Sequence, residues 1–404
     1  MKRLLFVDDE PNVLRALNRM LRARRDAWGC AFATGGPEAL ELMAKEPFDL
    51  IVSDMRMPGM DGAELLTRVM RDHPLTIRFA LSGQADKETI YRSVGPTHQF
   101  LVKPCSAESL INTIDRAFAL RSHLQSEALS RLVSQTLTLP TVPELYTRVM
   151  QELQSPDPSI AEVGRIIGED PGMSAKMLQW ANSAYVGVQE RVSNPAEAVR
   201  FMGLEMVRGL VLLVGVFSDQ VKAKLSQRFR FDRLWKHSMM VGACARAILK
   251  TQVKDRRCAT DAFTAGILHD AGKLVLAASC PAEYDKVSTI VEEHDTSWRE
   301  AEVAVFGASH AEVGALLLGL WGLPDGLVEA VAYHHCPDEC LGRGFGPLTA
   351  VHIANALDDD RDTEHSSNEP PPKLDRRYMG KLGLEELLPL WRDAYLDIEA
   401  EGEG

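Results

Sequence analysis

The chain has 404 residues, 45% of them hydrophobic and 25% charged, with a formal net charge of −12. That length exceeds one ordinary domain and that apolar share can fill more than one core, so two or three domains are expected. The acidic balance argues against a dedicated nucleic-acid binder, and the longest uncharged apolar stretch, Gly209 to Phe217, is far too short to span a bilayer.

The opening residues read as a strand. They do not form a charged segment leading to an apolar core and cleavage site, so no export signal and a cytoplasmic location are expected. Seven cysteines scattered over the chain fit reduced thiols better than a disulfide framework.

In chain order, Leu4-Leu5-Phe6-Val7 is an apolar strand that runs into Asp8-Asp9. The run Phe48 to Ser53 ends on Asp54 and is followed by Met55-Arg56-Met57-Pro58-Gly59-Met60-Asp61-Gly62. Ile77 to Leu81 precedes Ser82, and Phe100-Leu101-Val102 precedes Lys103. Strand and helix signals alternate to about Ala119, which predicts a doubly wound α/β domain with a parallel sheet. In such sheets the carboxyl ends of the strands converge on one edge. There the acids Asp8, Asp9 and Asp54 can hold a hard divalent ion such as Mg2+. The Lys103 ammonium can neutralise phosphate oxygens, and the Ser82 hydroxyl can donate to one.

This motif set resembles the receiver domain of two-component response regulators over residues 1–120, which implies that the parallel sheet has five strands. The resemblance implies Asp54 as phosphoacceptor and Asp8, Asp9, Asp54 and the Arg56 carbonyl as Mg2+ ligands. It also implies Ser82, Phe100 and Lys103 as a switch, a cis Lys103-Pro104 peptide, and a sensor histidine kinase as partner.

After Ala119 the strand signals nearly vanish. Ser106-Ala107-Glu108-Ser109 reads as a cap opening a helix whose apolar stripe is Leu110, Ile114, Ala117 and Phe118. That helix is expected to continue as a connector over 121–138, and a homodimer through the receiver or connector is one expected assembly. Leu139-Pro140-Thr141-Val142-Pro143 then opens an all-helical domain over 139–357. Composition makes 358–377 a loose or disordered segment, and 378–404 a helical extension with its helix from Leu382 to Ala400.

The helical domain carries a second constellation. His237 shares a helix face with Val241, Cys244, Ala245 and Ile248 and so points inward. His269-Asp270 ends a helix whose Ala262, Ala265 and Gly266 permit close approach of another. Ser309 and Glu312 make a capping box around His310, and His334-His335 extend the face of Leu327 and Val331. Five inward histidines and an aspartate suggest a metal cluster. Cys336 and Cys340, beside the histidine pair, are weak evidence for a zinc clip.

The order His237, His269-Asp270-Ala271-Gly272-Lys273, His310, His334-His335 resembles the HD superfamily of metal-dependent phosphohydrolases. Arg233 and Asn355 stand where that resemblance implies acids, and no Gly-Tyr-Pro follows the histidine pair, so cyclic di-GMP hydrolysis is not expected. The segments Leu139 to Glu144, Asp170 to Leu178, Ala181 to Tyr185, Met202-Gly203-Leu204 and Trp321 to Pro324 resemble the HDOD domain, an HD-related output module that has generally lost catalysis. The expectation is a response regulator whose helical half binds an output protein without catalysis. The alternative is a phosphorylation-controlled phosphohydrolase whose candidate site is His237, His269, Asp270, Lys273, His310, His334, His335 and Asn355: the histidines and Asp270 hold a transition metal, Asn355 is a weak ligand through its amide oxygen, and Lys273 steadies a phosphate.

Overall fold

The computed structural model describes residues 1–82, 96–123, 129, 132–133, 136, 148–149, 151–153, 155, 157–182, 191–204, 207, 229–294, 296–340, 344–359 and 374–402. Two compact units emerge. One comprises Met1–Leu137 with Gln179–Arg191 and Gly319–Gly322; the other comprises Thr138–Leu178, Val192–Leu318 and Leu323–Gly404.

In the first unit the strands are β1 (Lys2–Val7), β2 (Trp28–Ala33), β3 (Leu50–Asp54), β4 (Ile77–Ser82) and β5 (Gln99–Val102). They pair in the order β2-β1-β3-β4-β5, every neighbour parallel. Strands covered on both faces must be apolar throughout, and Leu4, Leu5, Phe6, Leu50, Ile51 and Val52 are all fully buried. Register then sets the functional edge: Val7 lies opposite Ser53 and Asp54 opposite Leu81, so Asp8 and Asp54 leave the sheet side by side.

Helices α1 (Pro11–Met20), α2 (Gly36–Lys45), α3 (Gly62–Asp72) and α4 (Ala107–His123), with a 3-10 turn over Leu21–Arg24, also belong to this unit. α1 starts on a proline, whose missing N–H costs nothing in the first turn. Asp61 caps α3 by accepting from the Glu64 N–H at 2.8 Å. The Ser106 hydroxyl accepts from the Ser109 N–H at 3.1 Å, and the stripe Leu110, Ile114, Ala117, Phe118 is buried as its spacing predicts. Most of the expected connector lies outside the described residues.

Every described element of the second unit is helical. α5 (Ile160–Gly168), α6 (Pro171–Ala181) and α7 (Pro195–Met202) come first. α8 (Phe231–Gln252), α9 (Arg256–Leu268), α10 (Ala271–Ser279), α11 (Pro281–His294), α12 (Trp298–Phe306), α13 (His310–Leu320), α14 (Asp325–Tyr333) and α15 (Pro347–Asp359) follow, then α16 (Arg376–Leu382) and α17 (Leu388–Gly402). α8 and α9 touch backbone to backbone: a β-carbon on Gly266 would sit 2.6 Å from Gly242 Cα. Of the small residues expected to permit it, Gly266 makes the close approach, and Ala262 and Ala265 are buried.

Two expectations at the carboxyl end require correction. Asp358 belongs to α15, not to a loose segment. The terminal helix does not begin at Leu382: Gly383, with φ +65°, closes α16 in the left-handed region that favours glycine, and a short 3-10 turn over Glu385–Leu387 precedes α17. Among the described residues no single helix is long and apolar enough to cross a membrane. The Gly209 to Phe217 stretch and Ser183 to Tyr185 lie outside them.

Candidate functional sites

At the sheet edge, one carboxylate oxygen from each of Asp8, Asp9 and Asp54 falls within 4.8 Å of the others. The Glu10 N–H donates to Asp8 Oδ1 at 2.9 Å and fixes that side chain. Lys103 Nζ bridges Asp8 Oδ2 at 2.6 Å and Asp54 Oδ1 at 2.7 Å. Burial pushes the Asp54 carboxyl above its ordinary value, although Lys103 opposes the rise. Burial would lower Lys103, but its bonds to Asp54 and Asp8 outweigh this and raise it. Three acids against one ammonium leave an excess of negative charge, which suits a hard divalent cation with oxygen ligands.

The turn after Asp54 is tightly built. Gly59 has φ +79°, and the Gly62 N–H donates to Met55 O at 3.1 Å. A β-carbon on Gly62 would overlap the Asp54 carbonyl oxygen, so the start of α3 can close on the acid only because glycine stands there. Lys103-Pro104 is cis. Arg56 is exposed. Ser82 ends β4 and Phe100 lies in β5; their side chains are outside the described residues.

In the second unit, the helix ends bring the histidines together. His237 lies within α8, His269 and Asp270 join α9 to α10, His310 opens α13, and His334-His335 follow α14. The Ser309 N–H and hydroxyl both donate to Glu312 Oε2, at 2.8 and 3.0 Å, and hold the start of α13.

The Nδ1 atoms are committed outward. His269 Nδ1–H donates to Gly266 O at 2.6 Å, His334 Nδ1–H to Val331 O at 2.8 Å, His310 Nδ1–H to Glu302 Oε2 at 2.5 Å and His237 Nδ1–H to Asp358 Oδ2 at 2.5 Å. A carbonyl or carboxylate can only accept, so in each neutral ring Nε2 is left with its lone pair. Those lone pairs converge. His237 Nε2 is 3.1 Å from His269 Nε2, and His310 Nε2 is 3.4 Å from His334 Nε2; His335 Nε2 lies 3.1 Å from His310 Nε2, where either ring can be the donor.

Asp270 sits among them. Its Oδ2 is 3.5 Å from His269 Nε2 and 3.6 Å from His237 Nε2, its Oδ1 3.1 Å from His310 Nε2, and Lys273 Nζ donates to Oδ2 at 2.7 Å. Burial favours the neutral acid, but Lys273, His269 and His310 hold the Asp270 carboxyl well below the usual carboxylate range. Burial pushes His269 down to about 4 and takes His334 and His335 well below the ordinary imidazole. His310 is raised: burial opposes its charge, but Glu302 and Asp270 flank it.

Facing lone pairs repel unless a proton or cation lies between them, and Asp270 Oδ1 and Glu302 Oε1 are buried without a well-aligned donor. A borderline transition metal taking imidazole and carboxylate ligands fits this donor set. Its ligand atoms fall into two groups, His237-His269-Asp270 and His310-His334-His335.

Asn355 is buried on α15, while the acid of that helix that reaches the cluster is Asp358. Arg233 is exposed. Among the described residues Cys336 and Cys340 belong to neither ligand group; neither is in a disulfide, and burial pushes Cys336 up to about 11. Sequence reasoning missed Glu302, which is fully buried, and Asp358. Glu302 meets His310 across the Gly307 turn, and Asp358 opens an acidic run that composition reads as solvated.

The response regulator receiver domain family matches residues 4–115 and the HDOD domain family matches residues 139–337. A protein of Treponema pallidum (strain Nichols) named as uncharacterized is 25% identical over 197 residues, which is 49% of this chain and 37% of that protein. The hydrogenase transcriptional regulatory protein HoxA of Cupriavidus necator is 32% identical over 154 residues, 38% of this chain and 30% of that one. The chain therefore spans about a third of the length of these curated relatives. Among solved structures, the MmoQ response regulator of Methylococcus capsulatus str. Bath is 24% identical, covering 63% of this chain and 98% of its own, with a TM-score of 0.49. On the two family matches, the chain belongs to the two-component response regulators, with a receiver domain followed by an HDOD domain.

Proposed function

We propose that this protein accepts a phosphoryl group on Asp54 from a sensor histidine kinase and relays that event to the HDOD half, which acts as a non-catalytic protein-interaction module for an output protein. The observation that carries the reading is the Asp54 carboxylate, at the end of a buried strand, bridged to Asp8 by Lys103. Mg2+ bound by Asp8, Asp9, Asp54 and the Arg56 carbonyl would shield the attacking carboxylate and the phosphoryl oxygens from each other. An Asp54 oxygen attacks phosphorus while the bond to the donor imidazole breaks. Lys103 then exchanges a carboxylate partner for a phosphoryl oxygen, and the added charge of about −1.5 to −2 acts on the expected switch residues Ser82 and Phe100. The connector would carry the change, alone or through a homodimer.

The test is incubation with a small phosphodonor and Mg2+. One acid-stable, base-labile phosphoryl group is expected in the wild type and none in Asp54→Asn; persistent labelling of the variant would refute the assignment.

A second reading of the helical half is favoured by the converging Nε2 lone pairs. There His237, His269, Asp270, His310, His334 and His335 hold a transition metal, with Lys273 beside it to meet an anion. Such an ion would act as a Lewis acid on bound water. Because acids are missing at Arg233 and Asn355, this half has less carboxylate charge for a second ion, and cyclic di-GMP turnover is not expected. Metal content after purification without added metal is the measurement: none in wild type and His269→Ala alike leaves the interaction module alone, whereas occupancy lost in His269→Ala supports the metal centre.

A further inference from the structure

The last helix of the chain reaches the histidine cluster from outside the HDOD match, which ends at residue 337. Tyr395, buried on α17, donates its hydroxyl to Asp358 Oδ1 at 2.9 Å, and the other oxygen of Asp358 accepts from His237 Nδ1 at 2.5 Å. α17 is seated on the helix that bears His237: Trp391 Nε1 donates to Thr251 Oγ1 of α8 at 2.9 Å. The Trp391 ring also stacks on Phe345, with centroids 5.9 Å apart.

A neutral imidazole has two tautomers, and the acceptor on one nitrogen decides where the proton sits. With Asp358 present, the proton is on Nδ1 and the lone pair of Nε2 faces His269 and Asp270. Without it, a proton on Nε2 would point at His269 Nε2 and remove His237 as a ligand. We propose that Tyr395 and Asp358 are positioning residues: they fix the His237 tautomer and so set the affinity of the His237-His269-Asp270 group for a divalent transition metal. This rests on the metal reading of the cluster given above. The charge of Asp358 also makes the ring a stronger ligand, and Tyr395 keeps the carboxylate from turning to solvent.

The test uses the full chain and Co2+ as probe, followed by its visible absorption, with 15N NMR of the histidine rings in metal-free protein. Asp358→Ala is expected to weaken Co2+ binding by about 10- to 100-fold, Asp358→Asn by less, and Tyr395→Phe by about 2- to 10-fold, the loss of one hydrogen bond. The 15N shifts of His237 should move from the Nδ1–H pattern in Asp358→Ala. Should Asp358→Ala fail to fold, Tyr395→Phe, which deletes a single oxygen, carries the test. Unchanged affinity in the folded variants while the wild type binds Co2+ overturns this role alone. A wild type that binds no Co2+ overturns the metal reading and this role with it.

Discussion

Lys176 is only 2% exposed on α6, and burial pulls its ammonium from 10.5 down to about 7. The unfolded chain therefore binds more protons than the folded one between pH 7 and pH 10.5, so stability must rise with pH across that window. At about 1.4 kcal/mol per pH unit, the buried charge costs on the order of 5 kcal/mol at low pH and nothing above pH 10.5. Methionine keeps the unbranched stem and removes the charge. Lys176→Met should be more stable than wild type by about 4 kcal/mol at pH 7.5, a margin that narrows to roughly 1.5 kcal/mol at pH 9.5. The assay is urea unfolding of both proteins, followed by circular dichroism at 222 nm, at half-unit pH steps. Equal pH slopes for the two would refute the argument, because they would mean that Lys176 does not change its proton affinity on folding.

Gly266→Ala places a methyl group against the Gly242 backbone and should cost about 1–3 kcal/mol through overpacking; thermal unfolding reads the loss. Gly62→Ala, whose β-carbon would press on the Asp54 carbonyl, should slow phosphoryl uptake more than it lowers the melting temperature, seen by labelling with a small phosphodonor. Limited proteolysis should give one stable fragment near residues 1–120 and another near 139–357, and an unfolded second fragment would move the proposed boundary. With cyclic di-GMP as substrate, turnover approaching about 1 per second, abolished in His269→Ala, would replace the interaction module by an enzyme.

The sheet edge was legible because its residues follow local rules. Each of Asp8, Asp54 and Lys103 directly follows or ends an apolar run, and a parallel sheet gathers such positions whatever the loops do. The inward histidines were legible for a similar reason, since His237 shares a helical period with Val241 and Cys244. What the sequence hid is the support around them. Glu302 and His310 are separated by a turn whose geometry depends on Gly307 at φ +78°, and no periodicity links them. Asp358 was assigned to a solvated run because its neighbours are acids, yet helix α15 continues through it and aims it inward. Buried Lys176 lies in the Asp170 to Leu178 segment, where local sequence gives no warning that a charge is enclosed.

The hydrogen bond between His237 and Asp358 joins residues 121 positions apart, which has a consequence for how the molecule comes into being. A growing chain that already contains the five histidines of the cluster cannot yet order His237, because Asp358, the acid that does so, has not been made. Contacts of such long range form late in folding. An ion that recognises only the finished cluster would therefore stabilise the whole helical half at once, by about 2.7 kcal/mol at a hundredfold excess over its Kd, and would be bound only after the last helices have docked.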